Sequence, residues 1–420
     1  MSVVNLLVLG LLLAPSPHGS TCKGRLARGA VVECALAASL GLEALGHSVD
    51  AVAARRLSAR SILPSNPRVE LSAAARRALQ GGERTANFYG TLSQELEIGG
   101  QRRRRLAVVD AAVEAERSRI PALRRELAAE ALNRYFEALA ARDERAMIER
   151  IERGVVRLVE LAKATEEAGL GSGLAAEIAA ATGIKIRRRA IHAQRRQEIA
   201  EAQLASLLGL DPATAQLDLV GELTALEIPE SLDNLIKHGL EGRAELEVVA
   251  AEREAERKQG QLYKRMRVPN PSIVLYGQHD GFYERVLGGG IGLEIPLPSP
   301  LGQTYKGEIS ESRARVREAD AQLRALRRRI RGEVVMAQRA LDAADAELAL
   351  FDASRLASIE TYLGKLTQEM EAGRVTIREG ALQQLALLDL LAAYIDVRRE
   401  RCIASVELAR AAALLPGRVR

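Results

Sequence analysis

"NPRVELSAAARR" at positions 66–77 and "NPSIVLYGQHD" at positions 270–280 decide how this chain is read. Each is an Asn-Pro turn signal running into a short stretch of strand character. The two asparagines stand 204 residues apart (270 − 66). A second pair keeps that offset: Gly169 lies three residues before Ser172 in "EAGLGSG", and Gly373 three before Thr376 in "EAGRVTI". Between them "LEIGGQRRRR" (96–105) echoes "LEIPLPSPLGQTYK" (293–306), with "PLPSP" absorbing the shift. The chain reads as a tandem duplication with a unit of about 200 residues, far longer than a solenoid repeat. Repeat 1 is expected over 22–208 and repeat 2 over 209–415, with a tail at 416–420.

Strands are expected at 68–75, 86–98, 272–280 and 290–297, one pair per repeat. In "TANFYGTLSQELEIG", Phe88, Gly90, Leu92, Leu96 and Ile98 alternate with Tyr89, Thr91, Ser93, Glu95 and Glu97, broken only by Gln94. In "GGGIGLEIPLP" the apolar set is Ile291, Leu293, Ile295 and Leu297. A period of two over about ten residues suits a strand that crosses a membrane, and a half-buried soluble sheet equally well. In the first case Phe88, Leu92, Leu96, Ile98, Ile291, Leu293 and Ile295 face lipid. Four strands cannot close a barrel, because closure takes about eight. Membrane-crossing strands must therefore be pooled by several chains. "LGGGIG" (287–292) has glycines without the lysine of a phosphate cradle, and reads as a flexible loop entering the last strand.

Charged residues make up 27% and aromatic residues 3%, with no Trp, so long Ala, Leu, Arg and Glu tracts dominate. That is the composition of long helices. Leu323, Leu326, Ile330, Val334, Ala337, Leu341, Ala344, Leu348 and Phe351 follow the 3,4 spacing of a coiled-coil seam. Between Lys306 and Ala372 only Gly332 and Gly364 weaken a continuous helix; from Arg103 to Glu167 only Pro121 and Gly154 do so. Return helices are expected from Leu174 to Leu208 and from Ile377 to Leu415, giving helical hairpins at about 103–208 and 304–415. Gly169 and Gly373 suit the left-handed residue that closes a helix, and Ser172 and Thr376 the N-cap of the next. Thr376 with Glu379 completes a capping box, whereas Ser172 meets Ala175 instead of an acid. The small residues Gly169, Gly171, Ser172, Gly173 and Gly373, with Val375, Thr376 and Glu379, form tips that a partner could approach closely.

The net charge of +5 comes from Arg interleaved with Glu and Asp. Without aromatics among the basic residues this describes solvated helix faces, not a nucleic-acid surface. "QRRRR" (101–105) follows a strand end and suits a polar collar at a membrane boundary. "VVNLLVLGLLLA" (3–14) is too short to span a bilayer and fits the core of a signal peptide over 1–21, although no Lys or Arg precedes it. Cys22, Cys34 and Cys402 make no framework of disulfides, and Cys22 sits where a lipid-modified cysteine could, behind a weak "GST". No H-E-x-x-H, G-x-S-x-G or Walker motif occurs, and His18, His47, His192, His238 and His279 lack ligand spacing. No catalytic residue, cofactor or bound metal is expected.

The order helix, Asn-Pro, strand, "LSQELEIGGQR", long helix, "EAGLGS" tip, return helix, and then the pattern again, resembles the TolC-like outer-membrane efflux protein family over about 31–415. "LSQELEIGGQR" and "GLEIPLP" look most like its heavy-metal efflux branch. The resemblance implies an α+β membrane protein in the outer membrane of a Gram-negative bacterium. Three identical chains would join their strands in one twelve-stranded barrel, with coiled-coil hairpins continuing as a periplasmic α-barrel. It further implies tips that meet a periplasmic adaptor and, through it, an inner-membrane RND-type pump, with no cofactor. Departures are Ala175 where the first tip usually carries Asp, "EGALQQ" (379–384) in place of "ELLDAQ", no Pro in "GRAELE" (242–247), and few aromatics for an interfacial girdle. The girdle candidates are Phe88, Tyr89, Tyr276, Phe282 and Tyr283. A periplasmic adaptor also carries a coiled-coil hairpin, but only one; a cytoplasmic coiled-coil scaffold would leave the signal and the strands unexplained.

Overall fold

The computed structural model describes Cys22 and residues 24–77, 84–169, 172–279, 281, 284–297, 300, 302–351, 361–362, 365–366, 368–370 and 372–415. The expected signal peptide, Gly171, Phe282, Tyr283, Gly364 and the tail lie outside the described residues. The chain forms two compact units. One comprises the described residues up to Leu40, Arg124–Gly239 and those from Gly332 on; the other comprises Gly41–Leu123 and Leu240–Arg331.

The second unit holds a four-stranded antiparallel sheet of β2 (Arg68–Arg77), β3 (Arg84–Glu95), β5 (Pro271–His279) and β6 (Arg285–Leu293), in that spatial order. The strands are fed by α2 (Leu40–Ala59), α3 (Gln101–Glu167), α6 (Ala244–Arg265) and α7 (Lys306–Leu348). Two strand ends differ from expectation. β3 stops at Glu95, after which the Leu96 amide makes one last bond to the Pro271 carbonyl at 2.8 Å. Gly100 then turns the chain into α3 at a φ of 74°, so Leu96 and Ile98 lie past the strand. β6 stops at Leu293 because its partner begins at Pro271, and Ile295 lies beyond it.

The start of β6 is the larger correction. Leu287 to Gly292 is not a loop but the body of the strand. Gly288 stands opposite Tyr276, and a Cβ on it would come within 2.3 Å of the Tyr276 ring. The glycine leaves room for the ring to lie across the neighbouring strand, a cross-strand cover that offsets the glycine's own lack of packing.

The first unit contains β1 (Arg25–Leu26), which pairs in parallel with β4 (Asp218–Leu219), together with α1 (Arg28–Ala38), α4 (Gly173–Leu207) and α8 (Ile377–Ala411). The helix α5 (Leu232–Gly242) begins in it. Cys22 and Cys34 form a disulfide with Cα atoms 5.6 Å apart. The cysteines, read as making no framework of disulfides, thus supply one bridge that the sequence reading did not anticipate, and a sulfur so bonded is closed to a lipid thioether. α8 is the one described helix long and apolar enough to cross a membrane. It is instead the spine of this unit: Ala381, Leu388, Cys402 and Leu408 enter four successive apolar clusters along its length.

α3 runs unbroken through Pro121 and Gly154. α7, by contrast, closes at Leu348 instead of continuing towards Ala372, with 3₁₀-type bonds from the Leu350 and Phe351 amides to the Glu347 and Leu348 carbonyls. Phe351 leaves the seam to meet the Tyr394 ring, 5.5 Å away. The rest of the seam is as spaced: Leu323, Ile330, Val334 and Ala344 are buried, and Leu326, Ala337, Leu341 and Leu348 half-buried.

Replacing Gly288 by Val should destabilise the β5–β6 hairpin by about 1–3 kcal/mol, the usual cost of overpacking. Heat denaturation of the purified protein should register the loss, and Tyr276→Ala in the same chain should recover part of it.

Candidate functional site

Two surfaces carry the sequence-predicted residues, one on each unit. On the sheet, the register places Leu71 opposite Gly90, Leu92 opposite Leu275, and Ile273 opposite Ile291. Val69, Leu71, Phe88, Leu92, Ile273, Leu275, Leu287, Ile291 and Leu293 thus share one face across all four strands. All nine are exposed, Leu71 at 80% and Ile291 at 82%. A soluble monomer rarely leaves so continuous an apolar face uncovered. The opposite face carries Ser72, Tyr89, Thr91, Ser93, Ser272, Tyr276 and Gln278. Of the expected lipid-facing set, Phe88, Leu92, Ile291 and Leu293 lie together on the apolar face. Two girdle candidates, Tyr89 and Tyr276, fall on the polar one.

Below the sheet, most of the arginine run, expected as a polar collar, makes specific bonds. Gln101 is buried, and its amide donates to the Asn270 side chain at 2.8 Å and to the Val268 carbonyl at 3.3 Å. Asn270 in turn donates to Glu95 at 2.7 Å. Arg102 holds the Arg60 carbonyl at 2.9 Å, Arg104 the Gln261 side chain at 2.7 Å, and Arg105 pairs with Glu97. These side chains clamp the turns where strands become helices.

The first unit carries the tips. Gly169 and Gly373 are both left-handed, at φ of 70° and 71°. At the second tip the Arg374 amide bonds the Glu369 carbonyl at 2.9 Å and the Gly373 amide the Met370 carbonyl at 3.0 Å, the paired bonds of a Schellman motif. At the first, the Gly169 amide bonds the Glu166 carbonyl at 2.9 Å. Thr376 and Glu379 complete the capping box, with the Glu379 amide donating to the Thr376 hydroxyl at 3.3 Å; the Ser172 side chain makes no cap bond. Arg374 also grips Glu369 through its side chain, which holds that carboxyl below its ordinary range.

Leu158, Ala162, Ala176, Ala179, Leu366, Met370 and Ala381 form one buried cluster just behind both tips. The two turns are therefore neighbours, joined by helices before and after each. Gly169, Ser172, Gly173, Gly373, Thr376 and Glu379 are exposed, whereas Val375 is half-buried against the cluster. The sequence reading missed exposed Leu174, at 68%, and Arg374. The signal for Leu174 was an apolar residue immediately after the N-cap, outside the buried Ala176 and Ala179 stripe. Among the described residues no group of three His, Cys, Asp or Glu side chains could hold a metal ion.

Residues 31–210 match the family described as "Outer membrane efflux protein". The chain resembles the TolC-like outer-membrane efflux proteins. Its fold is similar to that of CusC, at 16% identity over 92% of this chain and 91% of that one, with a TM-score of 0.73. It is similar also to the CmeC outer membrane channel of Campylobacter jejuni, at 16% identity over 92% and 85%, with a TM-score of 0.74. The outer membrane protein VceC of Vibrio cholerae matches at 18% identity over 92% and 95%, with a TM-score of 0.68. At these identities the likeness is one of fold. No curated protein matches the chain in sequence.

The unequal caps of this efflux-protein fold separate the tips energetically. Thr376→Ala should cost about 1 kcal/mol, the usual worth of an N-cap, and raise amide hydrogen exchange in the first turn of α8. Ser172→Ala should leave exchange in α4 within error, because that hydroxyl makes no cap bond.

Proposed function

We propose that the chain is the outer-membrane exit duct of a tripartite efflux pump, conducting substrates passively from periplasm to exterior. The observation that carries this reading is the sheet: one face apolar and exposed across four strands, the other carrying polar residues on β2, β3 and β5 and mainly glycines on β6, with β2 and β6 both at open edges. An apolar face of this kind belongs against lipid, and a membrane tolerates strands only when every edge is paired. Three copies pairing β6 with β2 of the next would give twelve strands around a polar lumen. The order of two strands and two long helices occurs twice along the chain, which supports a duplicated origin.

The helical hairpins then stand in the periplasm. Their paired tips offer Gly169, Ser172, Gly173 and Leu174 beside Gly373, Arg374, Thr376 and Glu379 to a periplasmic adaptor, and the adaptor links the duct to an inner-membrane RND-type pump. Gly171, between Gly169 and Ser172 in sequence, belongs to the same proposal. The duct needs no cofactor and catalyses no reaction; energy comes from the pump. Heavy-metal cations and drugs are the candidate substrates. A periplasmic adaptor or scaffold is disfavoured because neither requires an exposed apolar sheet face.

Adjacent residues of β2 test the strand phase. Leu71→Arg should cost about 2–4 kcal/mol where the strand crosses the bilayer midplane and abolish trimer recovery from outer membranes. Ser72→Arg, on the other face, should leave recovery unchanged; equal behaviour of the two would refute the reading.

For the tips, Val375 is a poor probe because it packs inward. Ser172→Arg with Leu174→Arg, and separately Arg374→Ala, should abolish resistance in a complementation assay while trimer yield stays normal. Full resistance in both variants would exclude docking at the tips.

A further inference from the structure

At the end where β2 turns into β3 and β5 into β6, the apolar face changes character. Arg77 stands directly opposite Arg84, and His279 directly opposite Arg285. Alternation puts Arg77 on the face of Val69 and Leu71, Arg84 on that of Phe88 and Leu92, His279 with Ile273 and Leu275, and Arg285 with Leu287 and Ile291. All four are exposed. The other end of the same face closes on uncharged Val69, Pro271 and Leu293, so the basic residues mark one border only.

Like charges directly across a strand pair are destabilising. No acidic described side chain pairs with Arg77, Arg84 or Arg285. The two hairpins are held together, since the Gly281 amide donates to buried Asn87 at 3.3 Å. The basic residues thus stand at two levels of one face, His279 and Arg285 level with Phe88 and the Arg77–Arg84 pair four residues (88 − 84) further along β3. Of the described aromatic anchors expected at this border, Phe88 stays on the face, level with His279, whereas Tyr89 and Tyr276 turn to the opposite one.

We propose that Arg77, Arg84 and Arg285, with His279 beside them, bind the phosphate groups of anionic lipid headgroups in the outer leaflet. Guanidinium groups pair with phosphate oxygens through two parallel N–H donors. A cation just beyond an apolar band meets the bilayer at headgroup depth. The inference rests on the membrane reading above, which sets the direction: the opposite strand ends feed the helices, so this end faces outward.

The test reconstitutes the full-length assembled protein in phosphatidylcholine vesicles doped with fluorescent lipid A, either phosphorylated or enzymatically dephosphorylated. Lipid retained after detergent extraction and repurification is then counted. The unaltered protein should retain the phosphorylated form about tenfold over the dephosphorylated one, and roughly 0.5 M salt should erase most of the preference. The Arg77→Gln, Arg84→Gln, Arg285→Gln variant should lose it. A charge-matched control, Arg313→Gln, Arg317→Gln, Arg324→Gln on α7, should keep it.

Equal retention of the two lipids by the unaltered protein, or equal loss in variant and control, overturns the inference. So does complete displacement by a few-fold excess of inorganic phosphate, which would make the patch a phosphate site without lipid selectivity. Failure of the unaltered chain to insert into vesicles at all would instead refute the membrane reading, and a separate flotation step reports that outcome.

Discussion

A hydrogen-bonded node ties β3 and β5 to the start of α3. Asn270 accepts from Gln101 and donates to Glu95, so the last residue before β5, the first of α3 and the last of β3 are fixed to one another. Gln101 is buried, and a buried amide that lost its partner would be left with its desolvation cost uncompensated. The node also sets register. With Glu95 opposite Ser272, every later rung between β3 and β5 follows, and the apolar residues of all four strands gather on one face. A slip of one residue would send each of them to the other side. Three of the four arginines of "QRRRR", Arg102, Arg104 and Arg105, brace the surrounding turns, so a run that looks like free surface charge is mostly engaged.

Much of this was legible because it is written in side chains with a period. Phe88 and Leu92, or Ile291 and Leu293, announce a face by alternation, and the Gly373, Thr376 and Glu379 constellation announces a turn and a cap by type and spacing. What escaped the reading is what depends on a neighbour. Gly288 and Gly289 carry no periodic signal; they are strand because Tyr276 lies over Gly288 and β5 supplies the hydrogen bonds. The end of α7 at Leu348 has no Gly or Pro to mark it, and the departure of Phe351 towards Tyr394 is a tertiary event. Cys22 and Cys34 are joined by the fold of the segment between them, which spacing alone does not reveal. Strand ends failed for a similar reason: Leu96, Ile98 and Ile295 keep the alternation after the partner strand has run out.

The helical unit solves a different problem with small residues. Ala162, Ala176, Ala179 and Ala381 let helices on either side of two turns approach around Leu158, Leu366 and Met370. Close approach leaves little room for large side chains, which accounts for the scarcity of aromatics in so long a chain. Among the described residues of this unit, Tyr135 meets Phe136 inside one apolar cluster and Phe351 meets Tyr394 at the edge of another.

The open edges of β2 and β6 make the lone chain the hazardous form of this protein. Each edge is a row of backbone donors and acceptors looking for a strand, attached to an apolar face that water does not tolerate. In the proposed duct, the pairing of β6 with β2 does not by itself distinguish a ring of three from an open-ended stack, so closure depends on how the strands tilt and stagger. A cell producing this chain therefore faces a problem of timing. On the proposed reading, copies must be kept apart until they reach the bilayer, and there must be enough of them on arrival to close the ring.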